Sequence, residues 1–262
     1  MKGAVIIIPA RYHSTRYPGK PLVLLRDRNG NSKTLIQRSW EAAMAVNRID
    51  AVFVATDDQR IAEHVVAFGG QVFMTSHGCA NGTERCAEVL GKLHMEPDIV
   101  INLQGDAPLT PPWFMEQLIA AIKAHPDMDL ATPVLRCDHA ALEALLHDRK
   151  AGRVGGTTVV FNQNRQALYF SKEVIPYMDS VKMADWQHIP VFHHVGVYAY
   201  RPTVLKEYLQ WPAGLLEKLE GLEQLRFLEH GRKVLCVEVD ACGRPFWELN
   251  NPEDVSRIEC AL

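Results

Sequence analysis

No stretch of this 262-residue chain holds the roughly 20 consecutive apolar residues that a membrane-crossing helix needs. The apolar opening, Met1 to Ala10, is too short and lacks a signal-like cleavage pattern, so it reads as a buried first strand of a cytoplasmic protein without membrane insertion. Positive charge is not in excess either: 28 Lys and Arg stand against 31 Asp and Glu, a formal charge of -3. That balance offers no general attraction to nucleic acid, and no face mixes aromatic with basic residues, so nucleic acid is not an expected partner. An anionic ligand would need a local cluster of cations. The six cysteines (Cys79, Cys86, Cys137, Cys236, Cys242, Cys260) include no CxxC pair and no Cys/His metal spacing, which argues against a zinc site and for reduced thiols. Internal repeats and low-complexity tracts are absent.

What is present is the composition of a soluble enzyme with a full core: 47% hydrophobic and 23% charged residues exclude disorder and a small disulfide-stapled fold. Short apolar runs alternate with helical patterns. Strands are expected at Val5–Pro9, Ala51–Thr56, Gln71–Met74 and Ile99–Leu103, and helices at Thr34–Val46, Arg60–Phe68 and Thr83–Leu93. This is the βαβα rhythm of a parallel sheet, and AVIII and IVINL are apolar on both faces, as central strands are. Ligands of such sheets gather at the carboxyl ends of the strands.

Further along, Leu130–Arg136, Thr157–Phe161, Ala167–Ser171 and Val195–Tyr200 read as strands with longer polar connections, giving an α/β architecture with extra strands. Ser171–Pro190, rich in Met, Pro, His and Trp, is either a dimer-forming arm or a lid. A helix is expected at Leu215–Glu229 and a strand at Lys233–Val239. A last helix should start with Asn251 as N-cap, Pro252 in the first turn and Asp254 as capping acid.

The densest chemistry lies directly after the first strand, in Pro9–Leu22 (PARYHSTRYPGKPL). Arg11, Arg16 and Lys20 can neutralise phosphate oxygens, and Gly19 lets backbone approach them, so the loop can wrap a polyphosphate. It is not a GxxxxGK[ST] loop. A basic surface loop would carry the same residues.

The segment Ile8–Leu22 resembles the opening motif IPARxxSxRxPGKPL of the 3-deoxy-manno-octulosonate (Kdo) cytidylyltransferases. Further segments match that family in order: Val54–Asp58, Met74–Ser76, Gly82–Arg85, Gln104–Asp106, Ala167–Ser171, His194–Tyr200 and Leu222–Arg226. The resemblance implies a Rossmann-like nucleotidyltransferase fold, a mixed, mostly parallel sheet flanked by helices, with a small β-rich acceptor and dimerisation region. Residues 1–130 would form the CTP-binding half of one domain and 131–262 the acceptor and dimer half. It implies CMP transfer from CTP to an acidic acceptor, with Mg2+ as cofactor and a homodimer as the assembly. CTP would meet Ala10, Arg11, Ser14, Arg16, Gly19, Lys20, Met74, Asn81, Thr83, Arg85 and Gln104. The acceptor would meet Gln104, Tyr169, His194, Tyr198, Glu223 and Gln224. Lys20, Asp106 and Arg11 would carry catalysis, and Asp106 with Asn250 the metal. Asn81 also suits a helix cap, and one of Tyr198 and Tyr200, two apart on a strand, suits the core.

Three departures from the family pattern fall in segments used for metal or acceptor. QGDEP becomes Gln104–Pro108 with Ala107 for Glu, NPNxVK becomes Arg153–Thr158 with Thr158 for Lys, and VDTPED becomes Leu249–Asp254 with Asn250 for Asp. The expected result is a site more positive by about one charge and weaker use of Kdo, with another keto-sugar acid or a phosphonate as alternative acceptor. Glu248 can compensate, because on an extended chain it shares a face with Asn250. A CTP-binding protein that has lost activity is the rival reading, opposed by Asp106 and Lys20.

Overall fold

A computed structural model describes residues 3–13, 17–154, 156–178, 189–244 and 247–262. In chain order, β1 (Ala4–Ala10) leads through a 3-10 turn at Lys20–Leu22 into a hairpin, β2 (Leu24–Arg26) and β3 (Ser32–Thr34). Then follow α1 (Leu35–Met44), β4 (Ile49–Thr56), α2 (Gln59–Ala67), β5 (Gln71–Met74), α3 (Gly82–Lys92), β6 (Ile99–Leu103) and α4 (Pro112–Ala124). The next elements are β7 (Leu130–Arg136), α5 (His139–Lys150), β8 (Thr157–Phe161), β9 (Ala167–Ser171), β10 (Phe192–His194) and β11 (Val197–Tyr200). The chain ends with α6 (Pro202–Tyr208), α7 (Leu215–Glu220), α8 (Leu225–Glu229), β12 (Val234–Glu238) and α9 (Asp254–Glu259).

Two compact units divide these elements. The first comprises residues 1–120, 196–210 and 241–262, the second 121–195 and 211–240. Two later segments, 196–210 and 241–262, thus belong to the first unit together with residues 1–120.

In the first unit the strands run β5-β4-β1-β6-β11. The first four are parallel and β11 is antiparallel to β6. β1 sits at the centre with all residues buried except Pro9, which is half-buried. β6 is buried throughout. Their parallel register, Ala4 opposite Ile99 through Ile7 opposite Asn102, brings the loops after both strands to the same edge. Side-chain caps fix the helix starts: Thr34 accepts from Gln37 N–H, Asp58 from Arg60 N–H and Asn81 from Glu84 N–H.

In the second unit β7, β10, β8 and β9 are antiparallel neighbours, and β12 joins β7 in parallel. Two expectations are corrected by glycines. The strand expected at Val195–Tyr200 is interrupted at Gly196, so only Val197–Tyr200 forms β11. The helix expected at Leu215–Glu229 breaks at Gly221, whose φ of 62° closes α7 in the left-handed region that favours glycine. The last helix begins at Asp254 rather than Pro252. The Asp254 carboxylate does take the expected capping role, accepting from the N–H groups of Asn250 and Asn251.

In the second unit Arg226, 4% exposed, places Nε and Nη2 at 2.6 and 2.7 Å from the Glu217 carboxylate. Removing one partner strands a buried charge. Arg226→Ala is therefore expected to lower stability by about 3–5 kcal/mol, read from the urea midpoint. A loss within the range of surface substitutions would show that the pair is not needed.

Candidate nucleotide site

The loop after β1 is closed by backbone. Gly19 N–H donates to the Tyr12 carbonyl at 2.9 Å, and Leu22 N–H to the Gly19 carbonyl at 2.9 Å. Gly19 has φ +71°, and a Cβ there would lie 3.1 Å from the Tyr12 ring, so both conformation and space call for glycine. The Tyr12 ring also carries Arg60, whose guanidinium carbon is 3.4 Å from the ring centroid. Arg60 is itself paired with Asp58, the cap of α2, at 2.7 Å. Of the loop's expected phosphate ligands, Ala10 is buried and Arg11 exposed. Lys20 reaches out of the loop, its Nζ 2.7 Å from Asp106 Oδ2 with both side chains largely shielded from solvent. Ser14 and Arg16 lie outside the described residues.

Asp106 belongs to the loop that follows β6. A Cβ on Gly105 would fall 2.9 Å from the Pro9 carbonyl, so glycine is what lets this loop lie against the end of β1. Ser39 Oγ donates to the Gly105 carbonyl at 3.1 Å and holds the turn from the α1 side. Asp106 Oδ1 is buried and has no hydrogen-bond partner among the described residues.

The C-terminal segment approaches the same loop, with Leu249 N–H donating to the Asp106 carbonyl at 2.9 Å. Leu249 is fully buried with Leu25, Leu35 and Ile258. Its neighbours Glu248 and Asn250 share the other face, Asn250 Nδ2 lying 3.5 Å from Glu248 Oε2. Burial first, and then the Asp106 charge, push the Glu248 carboxyl up to about 7, while Lys20 acts in the opposite direction. The available donors are hard oxygens, and one carboxylate oxygen is an orphan, which fits magnesium. No three His, Cys, Asp or Glu among the described residues are grouped to hold a metal. Substrate phosphates and water would therefore complete the shell.

The residues expected around cytosine and ribose are largely committed to internal bonds. Asn81 caps α3 and its Nδ2 donates to Tyr208 Oη at 3.0 Å. Thr83 is buried against Tyr200 Oη at 2.9 Å. Arg85, 3% exposed, bonds Thr75 and sits 3.2 Å from Asp57, so it braces the sheet edge. Met74, 44% exposed, ends β5. Gln104 packs against Gly196, where a Cβ would lie 3.2 Å from Gln104 Oε1.

Tyr198, also in the first unit, is buried and stacked on Tyr200 at 5.7 Å, so both rings belong to the core. In the second unit Tyr169 Oη donates to Glu220 at 3.3 Å. His194 packs edge-on to Phe170 at 5.1 Å. Burial, and then His193, push His194 down to about 3, which keeps its imidazole neutral. Glu223 is half-buried. Gln224, 2% exposed, keeps an Nε2 donor with no partner among the described residues. Such a buried donor costs stability unless a ligand oxygen meets it.

Asn102 escaped the sequence reading. It is fully buried on β6, and neither amide atom has a partner among the described residues. Its signal was the one polar residue in IVINL. Two of the departures also look different in three dimensions. Ala107 is fully buried, and Thr158, 1% exposed, donates to the Glu173 carbonyl and accepts from Ile175 N–H. Neither presents a changed charge to an open cleft.

With this arrangement in view, the relatives are informative. The cytidylyltransferase family model matches residues 5–234. A 3-deoxy-manno-octulosonate cytidylyltransferase of Maricaulis maris is 42% identical, with 97% of this chain and 94% of that protein aligned. An 8-amino-3,8-dideoxy-manno-octulosonate cytidylyltransferase of Shewanella frigidimarina is 39% identical over 98% of this chain and 97% of its own length. The solved structure of CMP:2-keto-3-deoxy-manno-octonic acid synthetase complexed with CTP superposes with a TM-score of 0.82 at 36% identity, covering 98% of this chain and 97% of that one. The chain belongs to the cytidylyltransferase family, and is thus a CTP-dependent nucleotidyltransferase on the expected α/β fold.

Two outcomes follow from the close packing. Gly19→Ala should cost about 1–2 kcal/mol for the left-handed backbone, and it should raise the KM for CTP. Thermal unfolding and initial rates measure both, and an unchanged KM would separate loop geometry from nucleotide binding. Ala107→Glu places an unpaired carboxylate in a sealed position, so it should destabilise by about 3–5 kcal/mol, again measured by urea unfolding.

Proposed function

We propose that this protein transfers CMP from CTP to 3-deoxy-manno-octulosonate or a close keto-deoxy sugar acid, releasing pyrophosphate. The Lys20–Asp106 pair carries the reading: a lysine from a loop of polyphosphate-binding composition meets the carboxylate at the end of a central strand. The acceptor's anomeric oxygen bonds to the α-phosphorus and the bond to the bridging oxygen of the β-phosphate breaks. Pyrophosphate departs with those electrons and the hydroxyl proton passes to solvent.

Catalysis rests on positioning and charge. Gly19 lets the backbone come close to phosphate oxygens, and Arg11 and Lys20 neutralise the departing group. Asp106 would hold magnesium, which when bound supplies charge neutralisation between phosphate oxygens. Gln224 Nε2 is a donor suited to an acceptor oxygen, and neutral His194 can hydrogen-bond without adding charge.

The expectation of weaker Kdo use is revised. It rested on charges lost at positions 107, 158 and 250. Positions 107 and 158 are sealed, and Glu248 stands beside Asn250. Ordinary use of Kdo is expected, and the change Asn250→Asp plus Ala107→Glu should harm the protein rather than help it.

We also propose a homodimer. Leu168, Tyr177, Leu215 and Leu219 of the second unit are all exposed, which favours a covering partner, although the middle of Ser171–Pro190 lies outside the described residues.

Pyrophosphate release with magnesium, each of the four NTPs, and Kdo, its 8-amino analogue and other keto acids tests the reaction. CTP with Kdo should lead, and a stronger signal with another NTP would overturn the assignment. Lys20→Ala should slow turnover roughly a hundredfold to a thousandfold, as loss of one preorganised donor does. A loss below threefold would remove the loop from the mechanism. Asp106→Asn should abolish magnesium-dependent release, and full activity would mean another ligand holds the metal. Sedimentation at micromolar concentration should give a dimer mass, and a monomer would refute the assembly.

A further inference from the structure

Four observations converge on one side chain. The bond from Leu249 N–H to the Asp106 carbonyl, with Leu249 buried behind it, fixes residues 248–250 alongside the loop after β6. Glu248 and Asn250 then project to one face, with Nδ2 and Oε2 3.5 Å apart. The Glu248 carboxylate lies against Gly196, where a Cβ would come within 3.2 Å of both Glu248 Oε1 and Gln104 Oε1. Beside it, Asp106 has Lys20 on one oxygen and no partner among the described residues on its other, buried oxygen.

The charge balance then decides what such a corner favours. Lys20 contributes one positive charge, Asp106 and Glu248 one negative charge each when ionised, and Asn250 none. The corner is one charge short of neutral on the positive side, and its donors are carboxylate and amide oxygens, the set that magnesium prefers over softer ligands. Asn250, with its amide nitrogen turned towards Glu248, is placed to orient that carboxylate rather than to replace it.

We propose that Glu248 supplies the second carboxylate of the magnesium site, with Asn250 orienting it. The inference rests on the reading of the chain as a magnesium-dependent cytidylyltransferase and adds the residue that makes the metal corner complete. The family pattern has aspartate at position 250, so in this chain the negative charge has moved by two residues along an extended segment to the same face.

Manganese, which has a spectroscopic signal, is the probe. Free Mn2+ is measured by electron paramagnetic resonance in titrations of the full-length protein with saturating CTP, with circular dichroism as the check on folding. Glu248→Gln should weaken Mn2+ binding at least tenfold. Adding Asn250→Asp in that background should restore affinity to within about threefold of the parent. Glu248→Asp keeps the charge but withdraws it by one methylene. It should also weaken binding about tenfold if the carboxylate contacts the metal, and less than twofold if Glu248 acts only through its field. Unchanged affinity in Glu248→Gln, no rescue by Asn250→Asp, or an unaffected Glu248→Asp would overturn the proposal. Asp106→Asn separates the two levels of the argument. If it leaves Mn2+ binding intact, the metal reading itself fails, whereas loss in Asp106→Asn alone overturns only the role of Glu248.

Discussion

The Lys20–Asp106 ion pair joins two loops that the parallel register of β1 and β6 sets side by side. Much of the candidate site is arranged around that link. Gly19 frees the chain to turn so that Lys20 can reach across, Gly105 lets the second loop lie on the Pro9 carbonyl, and Leu249 ties the C-terminal segment to the Asp106 backbone. The pair also gives the corner a defined polarity: one carboxylate oxygen is satisfied by lysine, and the other is buried with no hydrogen-bond partner among the described residues. The ammonium group limits the repulsion that the Asp106 and Glu248 carboxylates would otherwise exert on each other.

Local rules made much of the first unit legible. Apolar runs such as AVIII and IVINL signal buried parallel strands whatever surrounds them, and Asn81, Thr34 and Asp58 cap helices through bonds to residues two or three positions away. The loop Pro9–Leu22 was readable because its glycine and cations act close to one another in the chain. The short hairpin β2–β3 was not, since three-residue strands carry too little periodicity. Nor was the break at Gly221, because a single glycine inside a helical pattern is compatible with continuation.

Site roles were less legible where they depend on partners far along the chain. Arg85 reads as a cation ready for a ligand, yet Thr75 and Asp57 already hold it. Thr158 reads as a lost lysine, yet it staples the segment after β9. Tyr198 carries a family motif but is core. In each case the residue type was informative and its orientation was not, because orientation is set by tertiary packing. Asn102 is the converse: an unremarked polar residue becomes noticeable only once its two amide atoms are seen to lack partners among the described residues.

The packing of the last segment has a consequence for biosynthesis. Residues 241–262 belong to the same unit as residues 1–120, and Leu249 and Ile258 complete the cluster that backs Leu25 and Leu35. A ribosome releases the chain from its amino end, so β1, β4, β5 and β6 are made well before the residues that seal them. Until position 258 clears the exit tunnel, the cluster around Leu25 and Leu35 lacks Leu249 and Ile258, and Asp106 has no Leu249 to hold its backbone. The corner around Asp106 is therefore translated well before the segment that closes it, so premature termination ahead of position 249 would remove the backbone bond on which its geometry depends.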